Sequence, residues 1–145
     1  MNYELPFTGV FFSNHALGNF SHAEGSRTIA EGAQSHSEGQ STMAYGVSSH
    51  AEGNMTWAEG DNSHAEGWNT TAEGKYSHAE GRDTVAFSTG SHAEGYKARA
   101  EGYYSHAEGY NTYTSNTYSH AEGYETKALK ENSHAEGKFS KASGA

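Results

Sequence analysis

The sequence predicts an all-β chain: a parallel β-roll solenoid of 14-residue coils with two strands in each coil. Three observations carry this reading. Nine histidines, His22, His36, His50, His64, His78, His92, His106, His120 and His134, recur every 14 residues without insertion or deletion. Eight of the nine stand in Ser-His-Ala-Glu-Gly, and the second copy reads Ser-His-Ser-Glu-Gly at 35–39. A looser half-repeat follows seven residues later, as in Thr28-Ile-Ala-Glu-Gly32, Thr42-Met-Ala-Tyr-Gly46, Thr56-Trp-Ala-Glu-Gly60 and Thr70-Thr-Ala-Glu-Gly74. Such self-similarity at a fixed period is the mark of a repeat architecture.

Taken in chain order, residues 1–13 come before the repeat. They hold the one apolar-rich stretch, with Leu5, Phe7, Val10, Phe11 and Phe12. Solenoid ends expose unpaired strand edges, so this segment is expected to be an N-terminal cap or assembly segment. The repeat domain is expected over 14–145, since Asn14-His-Ala-Leu-Gly18 is already in phase. Its last coil runs in phase to Ser140-Lys-Ala-Ser-Gly144, so the expectation is either a piece cut from a longer chain or end-to-end stacking into filaments.

Each half-repeat alternates over five residues and then varies over two, which reads as strand plus turn. Alternation sends Ser or Thr, Ala and Gly to one face and the two intervening residues to the other. A helix would carry Gly at nearly every seventh position, each costing about 1 kcal/mol. The closing Gly of each half is expected to supply the positive φ of a tight turn, with Asn116 standing in once. Ser88 and Lys130 break the rule, and distorted turns are expected there. Two strands and two turns per coil stack into two parallel sheets, small residues inward, because so narrow a roll has no room for imidazoles inside. Nine coils at about 4.8 Å each make a rod of about 43 Å.

The outer faces differ. The first half-strand presents the histidines together with a second unbroken column, Glu24, Glu38, Glu52, Glu66, Glu80, Glu94, Glu108, Glu122 and Glu136. The second half-strand presents Ile29, Met43, Trp57, Thr71, Val85, Arg99, Tyr113, Lys127 and Lys141 in the same place. A uniform face beside a variable one reads as an assembly face beside a solvent face. A roll with so small a core is marginal alone, so the uniform face is expected to pack against copies of itself, each His donating to a Glu of a neighbouring chain.

Only 33% of the residues are apolar and the formal charge is −9. The 9 basic residues are scattered, which excludes a nucleic-acid partner. No apolar run reaches the roughly 20 residues of a spanning helix, so no membrane insertion is expected. There are 0 cysteines and hence no disulfide framework. The first residues lack a basic segment followed by an apolar one, so no signal peptide is expected in this chain.

Catalytic residues are not expected: adjacent Ser and His on one strand point to opposite faces, so no Ser-His-Asp constellation is singled out. Imidazole and carboxylate are metal-ligand chemistry, yet nine equivalent sites do not describe a catalytic zinc, and neither a metal nor a cofactor is assigned. The Gly-Gly-x-Gly-x-Asp pattern of calcium-binding rolls is missing. Aromatic residues placed in the turns (Trp68, Tyr96, Tyr103, Tyr110, Tyr124) or on the variable face (Trp57, Tyr113) are the candidates for facing a ligand, either a host glycan or a surface protein.

The motif Ser-His-Ala-Glu-Gly-x-x-Thr-x-Ala-x-Gly resembles the Ser-Val-Ala-Ile-Gly-x-x-Ser-x-Ala-x-Gly repeat of the YadA-like head domains of trimeric autotransporter adhesins, and of related rolls in phage tail fibres. The resemblance covers nearly the whole chain. It implies a left-handed roll, a homotrimer with the first half-strand toward the threefold axis, and a place on an extracellular surface or a virion fibre. His and Glu stand where the family carries Val and Ile, so a polar axis is implied. The function expected is structural, in a fibre, filament or adhesin, with no catalysis. The alternative is an adhesin head that binds glycan or protein through its aromatics.

Overall fold

The computed structural model describes residues 14–143. The expected cap at 1–13 lies outside them. Nine long strands form one sheet: His22–Ser26, His36–Gln40, His50–Asn54, His64–Trp68, His78–Arg82, His92–Tyr96, His106–Tyr110, His120–Tyr124 and His134–Lys138. Ten two-residue strands form the other: His15–Ala16, Ile29–Ala30, Met43–Ala44, Trp57–Ala58, Thr71–Ala72, Val85–Ala86, Arg99–Ala100, Tyr113–Thr114, Lys127–Ala128 and Lys141–Ala142. The chain crosses from one sheet to the other twice per coil. Every pairing is parallel and joins residues 14 apart, from His22 with His36 to His120 with His134. The result is the all-β parallel solenoid that the period predicts.

The backbone ladder also runs round the corners. The Ser41 amide donates to the Ser26 carbonyl at 2.8 Å, and the Gln34 amide to the Asn19 carbonyl at 2.8 Å. Coil is therefore bonded to coil along nearly its whole path, which matters because the core is so thin. Ala30, Ala44, Ala51, Ala58 and their equivalents are sealed from solvent, and the largest fully buried side chains are threonines. Two exceptions to the inner Ala prove the fit. Ser37 shares a 2.8 Å hydrogen bond with Thr42, and Thr114 donates to Ser105 at 2.9 Å, so each extra hydroxyl finds a partner. The Oγ1 atoms of Thr56, Thr70 and Thr84 are buried without one.

Three expectations about the coil need correction. The two halves are not equal strands: the first runs from His through Gly to the next residue, and the second keeps two residues before its turn. The closing glycines do not supply the left-handed turn either. In the first half they lie inside the long strands with φ from 98° to 116°, and in the second half Gly32, Gly46, Gly60, Gly74 and Gly102 are not at positive φ. The left-handed residue is instead the last variable one, at every seventh position from Phe20 to Phe139, with φ between 52° and 66°. Glycine is needed for a different reason. A Cβ on Gly67 would stand 2.1 Å from the Gly81 carbonyl oxygen, and one on Gly32 would stand 1.9 Å from that of Gly46. Successive coils touch backbone to backbone there.

The turns at Ser88 and Lys130 are not distorted. Ser91 still donates to the Ser88 carbonyl at 3.0 Å, and Ser133 to that of Lys130 at 3.2 Å. Neither Ser88 nor Asn116 is left-handed. Their side chains reach the next coil, Ser88 Oγ donating to the Glu101 carbonyl at 2.5 Å and Asn116 Nδ2 to the Leu129 carbonyl at 2.8 Å.

Two predictions follow from the coil contact and the core. Gly67→Ala combines a positive φ with a backbone clash and is expected to cost about 2 kcal/mol or more. Gly90→Asn, at a φ of 66° where Asn62 and Asn132 stand in other coils, asks only the exposed Tyr104 ring, 2.5 Å from a Cβ built there, to turn aside and is expected to change stability by less than about 1 kcal/mol. Urea unfolding of both variants checks the contrast. In the same assay Thr70→Val is expected to be neutral or to stabilise by up to about 1 kcal/mol, since it removes a buried hydroxyl that lacks a partner and keeps its shape.

Candidate functional site

In-register parallel strands place identical side chains above one another, so the repeat becomes columns. The histidine rings of neighbouring coils lie 4.6–5.0 Å apart between centroids, and from His36 to His120 they are stacked within 25° of parallel. Within each coil the imidazole Nε2 and the carboxylate Oε2 two residues on are 3.3–3.8 Å apart, 3.3 Å for His22 and Glu24 and 3.8 Å for His50 and Glu52. His22 and Glu24 make a hydrogen bond. In the seven coils from His36 to His120 the Nε2 atom is enclosed and has no hydrogen-bond partner within the chain. Sequence reasoning foresees both columns, and the structure adds a carboxylate of the same coil beside each imidazole.

At His64 and His106 the surroundings favour the neutral ring. Burial lowers the His64 pKa below its ordinary 6.5, the neighbouring His50 and His78 lower it further, and Glu66 and Glu52 pull the other way. His106 is lowered for the same reasons, by burial and then by His92 and His120, against Glu108 and Glu94. The adjoining serines do not share this face, for Ser63 and Ser105 are buried on the inner side. Among the described residues there is no pocket, and no helix is long and apolar enough to cross a membrane.

The outer face of the short-strand sheet changes along the rod. Ile29, Met43, Trp57, Thr71 and Val85 are half-buried in file, and Arg99, Tyr113, Lys127 and Lys141 follow. One polar cluster is built there. Glu101 accepts from Arg99 Nε at 2.5 Å and from the Tyr113 hydroxyl at 2.6 Å, and the Tyr113 bond leads in holding its carboxyl below the usual range. Burial and the neighbouring Glu59 raise the Glu73 carboxyl instead.

Four of the aromatics placed in turns are not in turns. Trp68, Tyr96, Tyr110 and Tyr124 end long strands, in the same coil position two residues beyond the Glu column. Tyr110 stacks on Tyr96 at 5.1 Å and on Tyr124 at 4.7 Å. Arg82 fills the remaining rung, 4.8 Å from the Trp68 ring centre and 5.5 Å from that of Tyr96, and Lys138 lies 5.3 Å from Tyr124. Arg82 and Lys138 escape a search for aromatics, although the 14-residue spacing puts them in the file. Tyr103 does sit in a turn and is 57% exposed. Trp57 and Tyr113 are on the short-strand face, apart from the column.

A folded-state pKa below the unfolded value means that the unfolded chain binds protons more readily. The histidine contribution to stability is therefore complete above 6.5 and is lost as the pH falls through that value toward the lower folded pKa. Melting temperature is expected to drop between about pH 7 and pH 5.5, and the drop is expected to shrink in a His64→Gln, His106→Gln double variant. Thermal melts across that range test it.

Comparison with known proteins agrees with this geometry. Residues 16–35 match the YadA head domain repeat in two copies. No curated protein matches the chain. The match spans 20 of the 145 residues. The chain is a parallel β-solenoid of about nine 14-residue coils, and its residues 16–35 are similar to the YadA head domain repeat.

Proposed function

We propose that this chain is a rigid, non-catalytic segment of a homotrimeric fibre, in a phage tail fibre or in a cell-surface adhesin or filament, with the His-Glu ladder turned toward the threefold axis. The observation that carries the reading is the unpartnered Nε2 in each of seven coils on the one outer face that never varies. Enclosed polar atoms need partners, and carboxylates of a second chain would supply them where the in-coil Glu does not. Like-charged Glu columns at a rise of about 4.8 Å repel within one chain, and the same contacts would offset this.

In this reading residues 1–13 cover the first coil, whose Leu17 and Phe20 are 64% and 91% exposed. Apolar side chains so open beside an apolar segment are a natural seat for it.

The second reading, an aromatic binding face, draws support from Trp68, Tyr110 and Tyr124, each about 40% exposed. Their ring faces are largely taken by one another and by Arg82 and Lys138, so they would offer a ligand edges and a row of hydroxyls. A glycan array with Trp57→Ala, Trp68→Ala and Tyr110→Ala variants separates binder from spacer, a spacer giving no specific signal.

Light scattering at pH 7 tests the assembly. The expected mass is three times the 15.6 kDa of the chain. Replacing His50, His64, His78 and His92 by Ala is expected to release monomers. A monomeric wild-type chain, or a trimer indifferent to that variant, would overturn the axial ladder.

A further inference from the structure

The paired columns have the geometry of metal donors. Two ligands about 2.1 Å from a tetrahedral Zn²⁺ stand about 3.4 Å apart. The Nε2 to Oε2 separation in the ladder runs from 3.3 Å at His22 to 3.8 Å at His50, so each coil already holds one edge of such a polyhedron, open by a few tenths of an ångström at most. Both donors come from one strand, i and i+2 on a rigid sheet, where placement is firm. The next coil brings a third: donor atoms of His50, Glu52 and His64 all lie within 4.8 Å of one another. The enclosed Nε2 atoms of His50 and His64 have no hydrogen bond to give up.

We propose that the ladder binds divalent first-row transition cations, Zn²⁺ or Ni²⁺, within a single chain, with His50 and Glu52 as a paired N,O edge and His64 closing the site. Rotation of these half-exposed side chains brings the third donor in. Imidazole with carboxylate and no thiolate suits Zn²⁺, Ni²⁺ and Cu²⁺ and discriminates against the all-oxygen preferences of Ca²⁺ and Mg²⁺. Occupancy is limited by charge. Dications in adjacent coils would stand about 4.8 Å apart and would compete for one His, so adjacent coils do not fill together, and the triad of His50, Glu52 and His64 is expected to take one ion. All three donors belong to one chain, so the inference does not rest on the proposed trimer.

Equilibrium dialysis of the untagged chain against zinc chloride at pH 7, with metal counted by atomic emission and mass measured on the same samples, tests it. The expected result is saturable uptake of at least one Zn²⁺ per chain, with calcium chloride giving none. Replacing His50, His64, His78 and His92 by Asn is expected to lower the uptake by at least one ion. Glu52, Glu66, Glu80 and Glu94 changed to Gln, which keeps shape, is a second variant should the first fail to fold by circular dichroism. Uptake below one ion per folded wild-type chain, uptake unchanged in the folded variant, or equal uptake of Ca²⁺ would overturn the proposal. Zinc uptake by a monomer would keep it and remove the trimer, and a trimer without uptake would do the reverse.

Discussion

Backbone contact between successive coils at glycine is the constraint on which the rest depends. With a Cβ on Gly67 placed 2.1 Å from the Gly81 oxygen, and 2.0–2.3 Å along the long-strand glycines from Gly25 to Gly123, there is no space for a side chain within those strands. Where a glycine is missing, the path of the chain survives because the substitute makes the contact itself, as Ser88 and Asn116 do through hydrogen bonds to the next coil. Stability in such a roll comes less from a large apolar core than from an uninterrupted backbone ladder over small residues. Ala, Ser and Thr let the two sheets close without leaving voids, and thin cores of this kind gain cooperativity by stacking.

Exact 14-residue register turns a one-dimensional pattern into surface chemistry. A residue type repeated at one coil position becomes a column with a rise of about 4.8 Å. The histidines stack, the glutamates line up beside them, and a file of Trp68, Arg82, Tyr96, Tyr110, Tyr124 and Lys138 alternates rings with cations. The stacking also decides what each column can offer. Rings that lie on one another present edges, so the aromatic file stiffens the rod as much as it displays a surface. Seven Nε2 atoms of the stacked imidazoles are enclosed without a hydrogen bond, and burial above all lowers the basicity of His64 and His106. Both proposals made above for the His-Glu face start from those unpaired atoms.

The fold was legible to a large extent because solenoids are nearly local: period 14, alternation within each half, and small residues on one parity suffice to choose two parallel sheets with His and Glu outside. The details that were misread are those in which two coils must be seen together. Glycine after Glu looks like a turn residue in a single coil, and only the neighbouring carbonyl reveals it as a contact residue inside a strand. The left-handed positions escaped for the opposite reason. They are filled by Arg27, Gln34, Met55, Tyr76, Lys97 and others with no shared chemistry, since the stacked turn forces the conformation whichever residue occupies it.

By itself the sequence determined the coil length, the parity of each residue and the invariance of the His-Glu face, because these follow from spacing alone. Tertiary structure decided which atoms of that face meet. That each imidazole lies 3.3–3.8 Å from a carboxylate of its own coil, and that seven of the Nε2 atoms are enclosed, depends on the rise between coils and on side-chain rotamers. Neither is written in a linear pattern, for both arise only when one coil is laid upon the next.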